Sequence, residues 1–435
     1  MNRILPVGLL VLVLLNPVFT NLSTAIGLLL SLVVIFTGRF RGVQNSSVKY
    51  LAFFCWGYFA ILIFSNFVND PRLEAMEHLG SSLQFLYLPF LFLAISSLDS
   101  DWQSFDYSRL FFTLIAIVSV LMMLEAMFLP EPILLKFQSE SWDILDLNIR
   151  LGFPDRVTLL ANNPLTLGDL VMPLAFLSLL GFWKLPVRMK VMRCIAWLVL
   201  IASLVLLAKN RSSVLLIISL GGILCVYLVA TYSGVYSKTR ILVGFVGLCL
   251  IAIAVFITAP HNLAKQRLIS AGKAVYEISS FEADLAQISD RSVRIRLDMY
   301  QAALGAIQEN PLIGYGPEKQ FSAIKPYLKT KDARDYTNKK DRNAHNLLLN
   351  HLLAGGVPLL MLILAIVLSP FVIIWKNRSK LGSDLIFAGT ILSTSIFVSG
   401  LTNNVFFDDG KNTGYLTMLF MFAIIASHKL KTLTD

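Results

Sequence analysis

Charge is scarce in this sequence. Of 435 residues only 15% are Asp, Glu, Lys or Arg, against about a quarter in soluble domains. Apolar residues make up 56%, and the mean hydropathy is +0.69. A water-soluble chain of this length could not hide so much apolar surface in its cores. Helices of about 20 apolar residues, which satisfy their own backbone inside a bilayer, can do so. Cysteine is also scarce. Cys55, Cys194, Cys225 and Cys249 each lie inside an apolar run with no CxxC pair, which argues against a disulfide framework or a cysteine metal site. Basic runs interleaved with aromatics are missing too. The net charge of +10 is spread over short links between apolar runs, where it sets topology. No nucleic-acid partner is expected.

The apolar runs define an all-α polytopic membrane protein of about 12 transmembrane helices. They fall near 4–20, 22–38, 48–68, 80–98, 108–130, 164–183, 190–208, 212–232, 241–259, 346–375, 384–402 and 413–428. The first run follows Met1-Asn2-Arg3 and imitates a signal peptide. Asn16 to Thr20 lacks a small-x-small cleavage site, so the run reads as a retained first helix. Basic residues collect in the links after the second, sixth, eighth and tenth runs: Arg39, Arg41 and Lys49; Lys184, Arg188, Lys190 and Arg193; Lys238 and Arg240; Lys376, Arg378 and Lys380. These alternate links belong inside, whereas the acidic link from Asp99 to Arg109 dissents. Both termini are then inside, and the two longest polar segments, near 131–163 and 260–345, lie outside. The chain divides into helices one to nine over 1–259, a large, partly helical outer loop over 260–345, and three helices with an inner tail over 346–435. A loop as long as the second is usually functional.

Charges within spans are expensive and therefore informative. Glu125, Asp169, Lys209, Arg211, Asp408, Asp409 and Lys411 all cluster toward the outer face, although ends of helices carry charges in any case. A transporter needs polar groups or broken helices near the bilayer midplane. The spans show no convincing set of midplane charges and no inverted repeat.

Within the large loop, Arg291 to Gln308 reads as a helix ending before Asn310-Pro311. Val293, Leu297, Tyr300, Leu304 and Ile307 follow a 4-3-4-3 spacing that predicts one packed stripe. Arg294 and Arg296 flank its N-terminal end. Pro311-Leu-Ile-Gly-Tyr-Gly316 predicts a turn that exploits the freedom of glycine. The many charges from Lys329 to Arg342 predict a mobile, solvated stretch. Arg342-Asn-Ala-His345-Asn346 then puts His345 at the outer lip of the tenth span. A solvated histidine and a functional one are both compatible with that position. Of the other histidines, His78 is a weaker participant, His351 is expected to pack, and His428 lies on the inner face.

Three of these segments together resemble the O-antigen ligase and polymerase superfamily of bacterial polysaccharide assembly. They are Lys209-Asn-Arg211-Ser-Ser at the start of a span; Arg296-Leu-Asp-Met-Tyr300 followed by Asn310-Pro-Leu-Ile-Gly314-Tyr-Gly316; and His345-Asn346 followed by a run containing Gly355-Gly356. Each is short, but their order around a late outer loop is specific. The likeness covers mainly residues 160–430. One dominant loop after the ninth span looks more like the lipid A-core O-antigen ligase than the polymerase.

The resemblance implies a GT-C-like glycosyltransferase of the bacterial inner membrane with its active site facing the periplasm. It would transfer a glycan from undecaprenyl diphosphate to a sugar hydroxyl of the lipid A-core, with membrane lipid around it. No cofactor and no metal is implied, and the five histidines stand at no metal-ligand spacing. His345 matches the position of a general base, or else of a diphosphate ligand. Arg211 and Arg296 match the motif arginines and suit a diphosphate because guanidinium stays charged and binds phosphate in a fork. Arg294 competes with Arg296, and a salt bridge to Asp290 or Asp298 is the alternative for either. Lys209, Asn346, Arg156, Arg150 and Lys411 are further candidates for contacts with glycan or diphosphate. A polymerase that extends an undecaprenyl-linked chain, and an exporter of lipid-linked glycan, are the competing functions.

Overall fold

The computed structural model describes residues 20–37, 46–70, 79–80, 82–97, 112–113, 116–120, 142–144, 147–149, 164–182, 185–206, 211–232, 288, 290–339, 344–402, 406 and 409–432. The spans expected over 4–20 and 241–259, and most of 108–130, lie outside them. The described helices are α1 (Thr20–Thr37), α2 (Ser46–Asn69), α3 (Gln84–Ser96), α4 (Pro164–Leu177), α5 (Val187–Leu206), α6 (Arg211–Tyr232), α7 (Arg291–Glu309), α8 (Gly316–Ile324), α9 (Lys331–Lys339), α10 (Leu347–Asn377), α11 (Ser383–Thr402) and α12 (Asp409–Lys431). Two short strands that the sequence does not predict, β1 (Trp142–Ile144) and β2 (Leu147–Ile149), pair antiparallel.

Four described helices are long and apolar enough to cross a membrane: α2, α10, α11 and most of α12. Shorter apolar stretches occur in α1, α3, α4 and α6. The protein is a helical, multi-pass membrane protein. Its apolar core runs through the bundle and holds Tyr58, Phe85, Phe92, Phe176, Ile363, Phe387 and Phe420, all nearly or fully buried. Phe92 stacks flat on Phe420 with ring centroids 4.9 Å apart, which ties α3 to α12. Outward-facing residues such as Phe36, Phe53, Phe67 and Trp375 stay exposed, as lipid-facing positions should. One buried cation has a clear task. Arg193 of α5 donates to the carbonyl of Ser178 at 2.9 Å and lies 5.4 Å from the ring of Phe112. It thereby places positive charge where the carbonyls at the end of α4 have no helical partner.

Helices α7 to α9 form a cap with a small core of its own: Ile295, Met299, Ala302, Ala303, Ala306, Ile324, Leu328 and Ala333, joined by Ala344 and Leu353. Asp290 caps α7 by accepting from the backbone N–H groups of Ser292 and Val293. The face of α7 that packs tightly is the alanine face with Ile295, Asp298 and Met299. The predicted stripe is only half-buried, and Leu304 is 52% exposed. Small side chains let neighbouring backbone approach closely, so the alanines rather than the larger residues face the cap core. The charged stretch after Lys329 also differs from expectation, because residues 331–339 form helix α9. Asp298, fully buried, explains this: its carboxylate accepts from the N–H groups of Lys329 and Thr330 and from the Thr330 hydroxyl. That clamps the start of α9 to α7.

Helix α10 is broken at Gly355 (φ −149°, ψ 17°) and Gly356 (φ 65°, ψ −162°). The break receives the Pro311–Gly316 turn. Tyr315 N–H donates to Leu353 O at 2.6 Å and Val357 N–H donates to Pro311 O at 2.9 Å. The Ser65 hydroxyl lies 2.6 Å from Ile313 O and 2.7 Å from Ala354 O. Backbone groups freed by a break in a membrane helix must find partners within the protein, and here the cap and α2 supply them. Asn69 and Lys319 complete the joint. Asn69 Nδ2 donates to Gly314 O at 3.0 Å, and Lys319 pairs with Asp70 at 3.4 Å.

Candidate functional site

One rim of the bundle is where the cap, α10 and α11 meet. Asn346 caps α10, its side-chain oxygen accepting from the N–H groups of Leu348 and Leu349. The residue before it, His345, has φ +50°, a left-handed conformation that histidine adopts more readily than most residues. Its neighbours hold it there. Ala344 N–H donates to Asn350 Oδ1 at 2.9 Å, and the Tyr300 hydroxyl stands 3.4 Å from both His345 O and Leu401 O. The His345 ring is half-buried, with Nε2 3.2 Å from the Tyr336 hydroxyl.

Arg296 lies one turn before Tyr300 on the same face of α7. Burial pushes the Tyr300 hydroxyl up, while the charge of Arg296 and a hydrogen bond with Asn346 pull it the other way. The Tyr300 hydroxyl thus stands by Asn346 and the His345 carbonyl, within the field of Arg296. The arginines of α7 have different surroundings. Arg294 pairs with Asp332 at 2.5 Å and donates to Ile288 O; Arg291 pairs with Asp332 at 3.2 Å. The partner of Arg294 is thus neither Asp290 nor Asp298, both of which are occupied with backbone N–H groups. Among the described residues Arg296 has no carboxylate partner, and it is half-exposed.

Arg211 is the first residue of α6, and its side chain lies outside the described residues. Further along α6, Tyr227 donates to Asp384 and stacks on Phe387, with centroids 4.4 Å apart, so α6 packs against α11. Asp169 is wholly buried nearby in α4, accepting from the Ser399 hydroxyl at 3.2 Å.

His351, in contrast, is fully buried. Its Nδ1 is 2.6 Å from Leu347 O, and its Nε2 is 3.1 Å from the Tyr58 hydroxyl. It is a packed histidine, and the two histidines of this stretch have separate surroundings. Lys209, Arg150, Arg156 and His78 lie outside the described residues. Lys411 is in the first turn of α12, with its side chain outside them. Tyr336 was invisible to sequence reasoning because it sits among charges that read as a solvated stretch; the only signal was the spacing of Ala333 and Thr337, which bury one side of α9.

Residues 196–364 match the family described as O-antigen ligase. A search of curated proteins finds no match. The matched stretch runs from the middle of α5, through α6 and the whole cap, into α10. Arg211, Arg296 and His345 all fall within it, as do both glycine pairs of the joint. The match supports the O-antigen ligase superfamily, with the ligase- or polymerase-type glycosyl transfer that it carries.

Proposed function

We propose that this protein is an inverting glycosyltransferase that moves O-antigen polysaccharide from undecaprenyl diphosphate to a sugar hydroxyl of the lipid A-core. It acts on the periplasmic face of the bacterial inner membrane, with a GT-C-like arrangement of helices. One observation carries the reading: His345, Asn346, Tyr300 and Arg296 gather at the end of α11.

The acceptor hydroxyl oxygen forms a bond to the anomeric carbon from the side opposite the diphosphate. Its proton passes to a ring nitrogen of His345, for which a neutral imidazole suits the operating pH. The bond from the anomeric carbon to the diphosphate oxygen breaks, and its electron pair stays on that oxygen. Arg211 and Arg296 meet the developing charge, and donors placed for charge that appears only in the transition state raise the rate. Arg296 rather than Arg294 takes this role, because Asp332 already engages Arg294. Lys209, Asn346, Arg150, Arg156 and Lys411 contribute contacts to glycan or diphosphate.

The test is transfer by the purified, reconstituted protein given undecaprenyl diphosphate-linked glycan, lipid A-core and EDTA. A lipid A-linked ladder supports the ligase. Growth of undecaprenyl-linked chains alone would make the protein a polymerase. No transfer to any acceptor would sink the enzymatic reading and return attention to export.

A further inference from the structure

Helix α7 turns two apolar faces to its surroundings. Its alanine face closes the core of the cap together with Ile295 and Met299. On another side Val293, Leu297, Tyr300, Leu304 and Ile307 stand three or four residues apart and so share one stripe. None of them is fully buried, and Leu304 is the most open at 52% exposure. An apolar stripe left open along a helix marks a surface that meets something other than water. Tyr300, in the middle of the stripe, shows where it lies. Its hydroxyl is 3.4 Å from Leu401 O, and Leu401 is the last residue of the apolar stretch by which α11 can cross a membrane. Leu401 is itself exposed. Leu297 and Leu304, one turn to either side of Tyr300, therefore lie beside the rim at which the membrane-spanning part of α11 ends. Charge is arranged to match: Arg296 borders the stripe, half-exposed, while Arg291 and Arg294 are turned to Asp332 on α9.

We propose that α7 is an interfacial helix: Leu297, Tyr300 and Leu304 dip into the acyl chains of the leaflet on the cap side of the bundle, and Arg296 rises to the lipid phosphates. A helix with apolar side chains on one face and arginines on its polar side lies in the plane of the interface, its apolar face a short way into the acyl boundary. Tyrosine favours that depth because its ring is apolar and its hydroxyl needs a polar partner, which Tyr300 finds at Leu401 O. Arginine lays its apolar stem along hydrocarbon and keeps its charge among headgroups. A protein partner is the other way to cover such a stripe, but a partner has no need to begin where a span ends. Lipid does, because exposed Leu401 meets it there. The bilayer itself then sets the depth of Arg296, at the level where a lipid diphosphate presents its charge. The lipid contact stands apart from the glycosyl-transfer reading, and only this use of Arg296 rests on that reading.

The experiment uses the full-length wild type in nanodiscs of phosphatidylethanolamine and phosphatidylglycerol, with part of the phosphatidylglycerol carrying a diazirine high on one acyl chain. After illumination, lipid adducts are mapped by peptide mass spectrometry. Label is expected on α7 around Leu297 and Leu304. It is also expected on α2, whose exposed Phe64 and Phe67 report that the lipid probe works, while charged α9 should stay clear. Leu304→Glu should cost α7 most of its label and leave that of α2 in place. Label on α2 with none on α7 overturns the proposal, whether water or another protein covers the stripe, and so does equal label on α7 and α9. Label on α7 that Leu304→Glu leaves unchanged overturns it as well, because the stripe would then not be the face in contact. The wild-type map decides the matter even if the variant does not accumulate. Should α7 be labelled while the wild type transfers nothing to any acceptor, the lipid contact stands and the glycosyl-transfer reading fails.

Discussion

Gly356 and Leu312 meet so closely that a Cβ on the glycine would lie 2.2 Å from the Leu312 carbonyl oxygen. The contact joins the cap to a membrane helix at the point where that helix is broken, and the adjacent Val357–Pro311 hydrogen bond closes it. Gly314 makes the reciprocal approach, its missing Cβ falling 2.6 Å from Leu353 O. The cap and the rim are therefore positioned by backbone against backbone.

Gly356→Ala should be poorly tolerated. Its φ of +65° with ψ of −162° belongs to a region used essentially by glycine alone, where any other residue is strained by about 1–3 kcal/mol, and the clash adds to this. Thermal unfolding in detergent should show a marked loss of stability or a failure to accumulate. Gly382→Ala, with open space around it, serves as the control, and equal stability of the two variants would contradict the joint.

The two histidines should separate by stability. His351 donates from Nδ1 to Leu347 O and accepts at Nε2 from Tyr58, so His351→Ala opens a cavity and leaves a buried hydroxyl unpaired. A loss of about 2–4 kcal/mol is expected, readable as a lower melting temperature. His345→Ala should melt close to wild type yet abolish transfer. A stable His351→Ala variant would refute the buried assignment.

Arg296 and Arg294 should separate by activity. Arg296→Lys keeps the charge but loses the fork, so transfer should fall steeply, by about a hundred-fold on the scale of a lost transition-state donor, with normal amounts of protein. Arg294→Lys should reduce transfer much less. The opposite order in the reconstituted assay would exchange their roles.

Asp332 supplies a pH dependence. Its hydrogen bond from Arg294 comes first among the causes that hold its carboxyl below the usual range. A carboxylate whose folded pKa is depressed adds stability that is present above the unfolded value and lost as pH falls through the folded value. The protection of α9 amides against hydrogen exchange, corrected for the intrinsic rate at each pH, should therefore be high near neutral pH and fall below about pH 4, the ordinary range of Asp. Arg294→Met should remove much of that pH dependence, and an unchanged profile would discount the pair.

Much of the fold was legible in the sequence because hydrocarbon imposes a simple rule. Scarce charge, long apolar runs and basic links are enough to state a helical, multi-pass chain, and the expected runs over 48–68, 384–402 and 413–428 overlap α2, α11 and α12 closely. Arg211, Arg296 and His345 were singled out by the resemblance of their short motifs to a family, not by periodicity or composition. What the sequence could not reveal depends on partners distant along the chain. The charged stretch after Lys329 becomes a helix because Asp298 caps it from α7. The larger residues of α7 stay half-exposed because its alanines admit closer backbone. The glycine pairs near 314 and 355 meet only when cap and bundle are docked. Tyr336 gains its meaning in the same way, since local pattern records what a residue prefers, and only tertiary packing decides which group it touches.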